Sequence, residues 1–172
     1  DHLGADLFHA GPLSDIADPE RRARQAFEKA FQLDSLYAGP ITHMARVALM
    51  AGDTAAQRLW ARREFALDST AESVPLTRWD LLRTARDSAG AARFLATYGA
   101  QPYVAQGVLF QNPLDSFTIA HQPQLLHLFH AQAASQDERQ EMAYSYAVIL
   151  LNRGRRAGAA AGMDTLYGIT PN

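Results

Sequence analysis

The sequence predicts an all-α protein, an array of antiparallel helical hairpins, on three observations. The tripeptide Leu33-Asp34-Ser35 returns as Leu67-Asp68-Ser69 after 34 residues. Laying 19–35 over 53–69 also aligns Arg24 with Arg58 and Phe31 with Phe65, and Lys29 keeps its charge at Arg63. A helix-compatible run precedes each copy and another, 38–51, lies between them, which is the footprint of stacked helical repeats. Each hairpin has an apolar face that only its neighbour can cover, so a single domain over 1–172 is expected. Within it, 1–98 reads as repeat-like hairpins, 99–135 as irregular helices and 136–167 as a terminal hairpin.

The elements follow in order. His2 to Ala10 places Leu3, Leu7 and Phe8 at helical spacing and stops at Gly11-Pro12. Asp18-Pro19-Glu20 reads as an N-cap, a first-turn proline and a first-turn acid, opening a helix to Leu33. Its apolar stripe is Ala23, Ala26, Phe27, Ala30, Phe31 and Leu33. Helix 38–51 follows, with Gly52-Asp53 as the turn into the next. Beyond Thr70 the period weakens, and helices are expected over 74–86 (Leu76, Trp79, Leu82 and Leu81 inward), 88–98 and 102–110. Asp115 caps a helix towards His121, where Pro123 kinks or restarts the chain. Ser135-x-x-Glu138 is a capping-box signature for a helix over 136–153, and 155–167 forms the last. The run Ala157-Gly158-Ala159-Ala160-Ala161-Gly162 reads as a closely packed helix surface or as flexible low complexity.

Ala23-x3-Phe27-x2-Ala30 with Leu33-Asp34, then Ile41, Met44, Ala45 and Ala48 before Gly52-Asp53, resembles the tetratricopeptide family. The style is that of arrays attached to bacterial serine/threonine kinases and transcriptional activators. Ser35 stands where that family has proline, and Ala56-x3-Trp60 carries its small-then-aromatic pair one position early. The resemblance implies a right-handed α-solenoid that binds extended peptides on a concave surface lined by the first helix of each hairpin. In this chain those ligand-groove positions are Thr42, Arg46, Leu49, Met50, Asp80 and Arg83. The asparagine and lysine pattern of the family's carboxylate clamp is not reproduced there, which argues against a chaperone tail as ligand.

Composition bounds the function classes. The 172 residues, 48% hydrophobic and 20% charged, suit one globular domain with a sizeable core. No apolar run reaches the length of a spanning helix, so direct membrane insertion is not expected. A net charge of −2 argues against nucleic-acid binding, which needs clustered cations to neutralise phosphates. No cysteine is present, which removes disulfides and thiolate metal sites and leaves the compartment open. Lys29 is the sole lysine among 16 basic residues, a coding bias of GC-rich bacterial genomes. The chain opens on Asp, which reads as a piece of a larger protein.

Candidates for chemistry are sparse. His121, His127 and His130 are the histidine cluster visible in the sequence, and His127 and His130 share a helix face. Two imidazoles make half a metal site, and the His-Glu-x-x-His arrangement is missing, so no metal or other cofactor is expected. Neither Gly-x-Ser-x-Gly nor a phosphate-binding glycine loop occurs. The arginine groups at 21, 22 and 24, at 62 and 63, and at 153, 155 and 156 offer planar donors to carboxylates or phosphates, or else line solvated helix faces. The expected function is protein or peptide recognition, without enzyme activity, inside a signalling or regulatory protein. The alternative is a helical ligand-sensing or catalytic domain with a pocket formed by 99–135.

Overall fold

The computed structural model describes residues 2–11, 15–99, 101–108, 115–121 and 156–161, with positions 124, 135, 144, 147, 150, 151 and 154. Helix dominates these residues and no strand occurs among them. The chain divides into two compact units, Asp1–Ala85 and Arg86–Asn172. The two helices expected as a third hairpin fall on either side of that boundary.

The first unit contains α1 (His2–His9), α2 (Pro19–Leu33), α3 (Ala38–Met50), α4 (Thr54–Leu67) and α5 (Val74–Ala85). Each packs on the next, and α3 also meets α5. Proline opens α2, as expected, but Asp18 does not cap it. Its backbone is left-handed, with φ 49°, and its carboxylate binds the Arg21 guanidinium at 3.1 Å instead of a backbone amide. Asp53 does cap α4, accepting from Ala56 N at 2.9 Å.

The core of this unit joins Leu7, Ala23, Phe27, Met44 and Val47, with Phe8 and Trp60 packed against it. On α3 the four positions expected to face inward, Ile41, Met44, Ala45 and Ala48, are all buried. On α2 the stripe is narrower than expected. Ala23 and Phe27 are fully buried, Ala26, Ala30 and Phe31 half-buried, and Leu33 is 77% exposed at the C-terminus. Gly4 is required by this packing, since a Cβ there would lie 2.6 Å from the Phe27 ring.

The second unit contains α6 (Ser88–Tyr98), α7 (Pro102–Gln106) and helical segments at 116–121 and 156–161. Asp87 caps α6 through Gly90 N at 2.8 Å, and Asp115 accepts from Thr118 N at 2.8 Å, the cap expected of it. Gly158 lets the last segment approach Leu150, whose Cδ1 would stand 3.1 Å from an added Cβ, and Ala159 beside it is buried. At these two positions the glycine and alanine run is closely packed. Glu138, His127, His130 and most of 109–134 lie outside the described residues.

The 34-residue spacing recurs in backbone geometry. Among the described residues, positive φ occurs at Asp18, Gly52, Arg86 and Gly154, positions separated by 34 or twice 34. Asp53 and Asp87 each follow such a turn and cap a helix with nearly identical dihedrals, φ −82° and −81°. Asp34 and Asp68 end their helices alike, each accepting from the amide two residues on, at 2.9 and 2.8 Å. The burial pattern of α2, α4 and α6 keeps step: Ala23, Gln57 and Ala91 are buried, as are Phe27, Ala61 and Leu95.

Candidate functional site

The groove of interest lies where three elements of the first unit meet. Its floor is apolar: Phe8 from the last turn of α1, Val47 and Met50 from the last turns of α3, and Ala51 just beyond. Its rim is charged, with Glu20, Arg21 and Arg24 from the first turns of α2. The groove is open to solvent on one side and has a volume of about 190 Å³. Arg21 and Arg24 each bind an acid on their own helix side, Asp18 at 3.1 Å and Glu28 at 2.9 Å. Both pairs are solvent-exposed, and pairs of that kind are weak enough to exchange for a ligand carboxylate.

Met50 therefore lines this groove, as do two members of the first arginine group, Arg21 and Arg24. Arg46 sits with its guanidinium carbon 5.9 Å from the centroid of Phe8 and touches the groove through that ring. Leu49 is half-buried. Thr42 faces α4, where its hydroxyl donates to Glu64 Oε1 at 3.0 Å.

Asp80 and Arg83 are only 3% and 4% exposed, and pair with each other at 3.5 Å. The 34-residue alignment sets them beside Arg46 and Leu49, but α5 follows the core of α3 at a spacing of 35. Ile41, Met44, Ala45 and Ala48 correspond in burial to Leu76, Trp79, Asp80 and Arg83. The linkers differ as well: 34–37 precedes α3, whereas the longer 68–73 precedes α5 and breaks the 34-residue register there. A one-residue slip turns a helix by about 100°, enough to carry an outward position to the core.

The α3–α4–α5 interface is also polar. Buried Glu64 accepts at Oε1 from Thr42 and from the Ser73 hydroxyl at 2.6 Å. Buried Gln57 meets Thr84, whose hydroxyl lies 2.9 Å from both Gln57 Oε1 and the Asp80 carbonyl. One hydroxyl proton serves one acceptor well. Turning the Gln57 amide over satisfies both, since Nε2 then donates to Thr84 and the hydroxyl donates to Asp80.

A second cluster adjoins the groove. His9 and His43 bring their Nε2 atoms to 3.4 Å, and the rings cross nearly perpendicular. His43 Nδ1 lies 2.8 Å from the Gly39 carbonyl and donates to it. Phe27 stacks on His43 at 4.6 Å, and Phe8 meets His9 and His43 edge-on at 5.0 and 5.7 Å. Burial, His43 and Arg46 together hold the His9 pKa below its ordinary value. Burial also lowers that of His43, against the upward pull of its bond to Gly39 and with Arg46 adding to the decrease. The residue types alone left this pair unnoticed, although its members are 34 apart and the repeat spacing could have found them.

Elsewhere, Arg63 covers Trp60 at 4.7 Å and Phe31 at 5.1 Å, and Arg78 covers Phe65 at 5.6 Å, so one member of the second arginine group is a packing residue. His121 donates Nδ1 to the Phe117 carbonyl at 2.9 Å. Among the described residues no three His, Asp or Glu side chains converge as metal ligands, and no helix is long and apolar enough to cross a membrane. Compared with family models, with curated proteins and with solved structures, the chain matches none.

Proposed function

We propose that this chain is a peptide-recognition module, built as a tetratricopeptide-like array, whose ligand segment lies in the groove between α1, α2 and α3. The observation that carries the reading is the groove's composition: an apolar floor of Phe8, Val47 and Met50 under a rim bearing Arg21 and Arg24. An aliphatic or aromatic side chain seats on the floor, and a nearby carboxylate takes a guanidinium fork from its intramolecular partner. Arg46 contributes by holding Phe8. The array part of the reading is supported by the left-handed turns in phase at 18, 52, 86 and 154 and by the matched caps at Asp53 and Asp87.

The test is selection of a displayed random-peptide library on the intact protein, followed by titration of synthetic peptides. Enrichment of sequences that pair an acid with a nearby Leu, Ile or Phe is expected. Met50→Asp and Arg24→Glu should each weaken such a peptide by about 2 kcal/mol or more, roughly thirtyfold, the scale of an anchor residue. Arg46→Ala should weaken it too while leaving the melting temperature nearly unchanged. Failure to enrich any motif, or affinities that Met50→Asp leaves intact, would remove the groove from the reading.

A further inference from the structure

We propose that His9 and His43 form a proton-sensitive latch that holds the last turn of α1 against α3, so that acidification loosens the Phe8 wall of the groove. As a statement about regulation it rests on the groove being the binding site; as a statement about α1 it stands alone.

The hydrogen-bond roles in the pair are determined from one end. His43 commits its Nδ1 proton to Gly39, so its Nε2 carries a lone pair, and His9 Nε2–H points a proton at it across 3.4 Å. With one proton taken up the pair still shares an N–H···N bond; with both rings protonated no acceptor is left between them, and two N–H groups face each other on charged rings. The charged group that acts on the pair from α3 is Arg46, which repels both imidazolium forms. α1 and α2 meet it with the rings of Phe8 and Phe27. The face of Phe27 offers His43 some cation–π compensation. Against it stand burial and Arg46, which hold both imidazoles below the ordinary 6.5.

The response is local because α1 is anchored elsewhere. Its main packing is along α2, through Leu7 and through Gly4 beneath Phe27. The last turn, closed by Ala10 N to Asp6 O at 2.9 Å, is the part that the latch ties to α3. That turn carries Phe8, and Phe8 is at once a wall of the groove and the ring beneath Arg46. Acid therefore acts on the groove through one side chain without unfolding the unit.

The experiment is amide hydrogen exchange on the intact, peptide-free protein between about pH 7.5 and about pH 5.5, with intrinsic rates corrected, so that protection reports opening alone. Protection at Phe8, His9 and Ala10 should fall roughly tenfold or more across this range, and α5 should lose no more than the drop in the unit's global stability accounts for. In the His9→Gln, His43→Gln double variant the fall should shrink to within about twofold. The imidazole Cε1 proton resonances of the unaltered protein give a readout that needs no variant, and both should titrate below 6.5. Protection independent of pH, a pH dependence that survives the double variant, or an imidazole titrating at or above 6.5 would overturn the latch. None of these measurements involves a peptide. A working latch with no peptide bound would sink the groove alone.

Discussion

At the residue scale, Phe27 joins fold and site. Its ring lies on Gly4 of α1, stacks on His43 of α3 and is fully buried. Phe27→Ala removes a fully buried ring, and a cost of about 3–5 kcal/mol is expected in denaturant titration. A loss below about 1 kcal/mol would mean that α1 does not cover it. Gly4→Ala sets two effects against each other. Alanine favours the helix by about 1 kcal/mol, but its Cβ must displace a fully buried ring that also stacks on His43, and overpacking of this kind costs about 1–3 kcal/mol. Net destabilisation is expected, with Gly4→Ala moving the midpoint down. A midpoint moved up would show that the ring gives way freely.

At the element scale, helix starts and stops were legible because they depend on a few adjacent residues. Asp53 and Asp87 both cap, and replacing either with alanine should cost about 1 kcal/mol, whereas Asp18→Ala should change stability by less than about 0.5 kcal/mol. The reason is visible in the chain: Asp53 and Asp87 follow the left-handed residue, while Asp18 is itself that residue, with Pro19 in the capping slot. Thermal unfolding of the three variants gives the ranking. Gly52 has φ 72° and open space around it, so Gly52→Ala should destabilise by about 1 kcal/mol through backbone strain alone.

For the whole chain, pH response separates into two windows. Both tryptophans, Trp60 and Trp79, lie in the first unit, so their fluorescence follows 1–85. The lowered pKa values of His9 and His43 mean that the unfolded chain binds their protons more tightly. Stability is then flat above about pH 7.5 and declines as pH falls through 6.5. Asp68, whose carboxylate is held below 3.8 chiefly by the Thr70 hydroxyl and amide, stabilises above that value and loses its contribution as pH falls through its lower, folded-state value. Denaturant midpoints read by fluorescence should therefore make a first step down as pH falls through 6.5. The first step should vanish in the His9→Gln, His43→Gln double variant, and its persistence there would assign it to other groups.

The sequence by itself determined the all-α character, the limits of α2, α3, α5 and α6 to within a residue, and the 34-residue recurrence, now seen at Asp18, Gly52, Arg86 and Gly154 as well as in the tripeptide. These follow from caps, turns and helical periodicity, which act over a few bonds. The buried face of α3 was legible too, but tertiary structure alone decided that of α5. Beyond a linker longer before α5 than before α3, Asp80 and Arg83 lie in the core and not at the expected groove positions. The groove required Phe8, Arg24 and Met50 from three helices to converge, and the latch required His9 to meet its counterpart one repeat away. Residue type names a capacity for chemistry; rotation of each helix about its own axis, set by packing, decides which of those side chains meet.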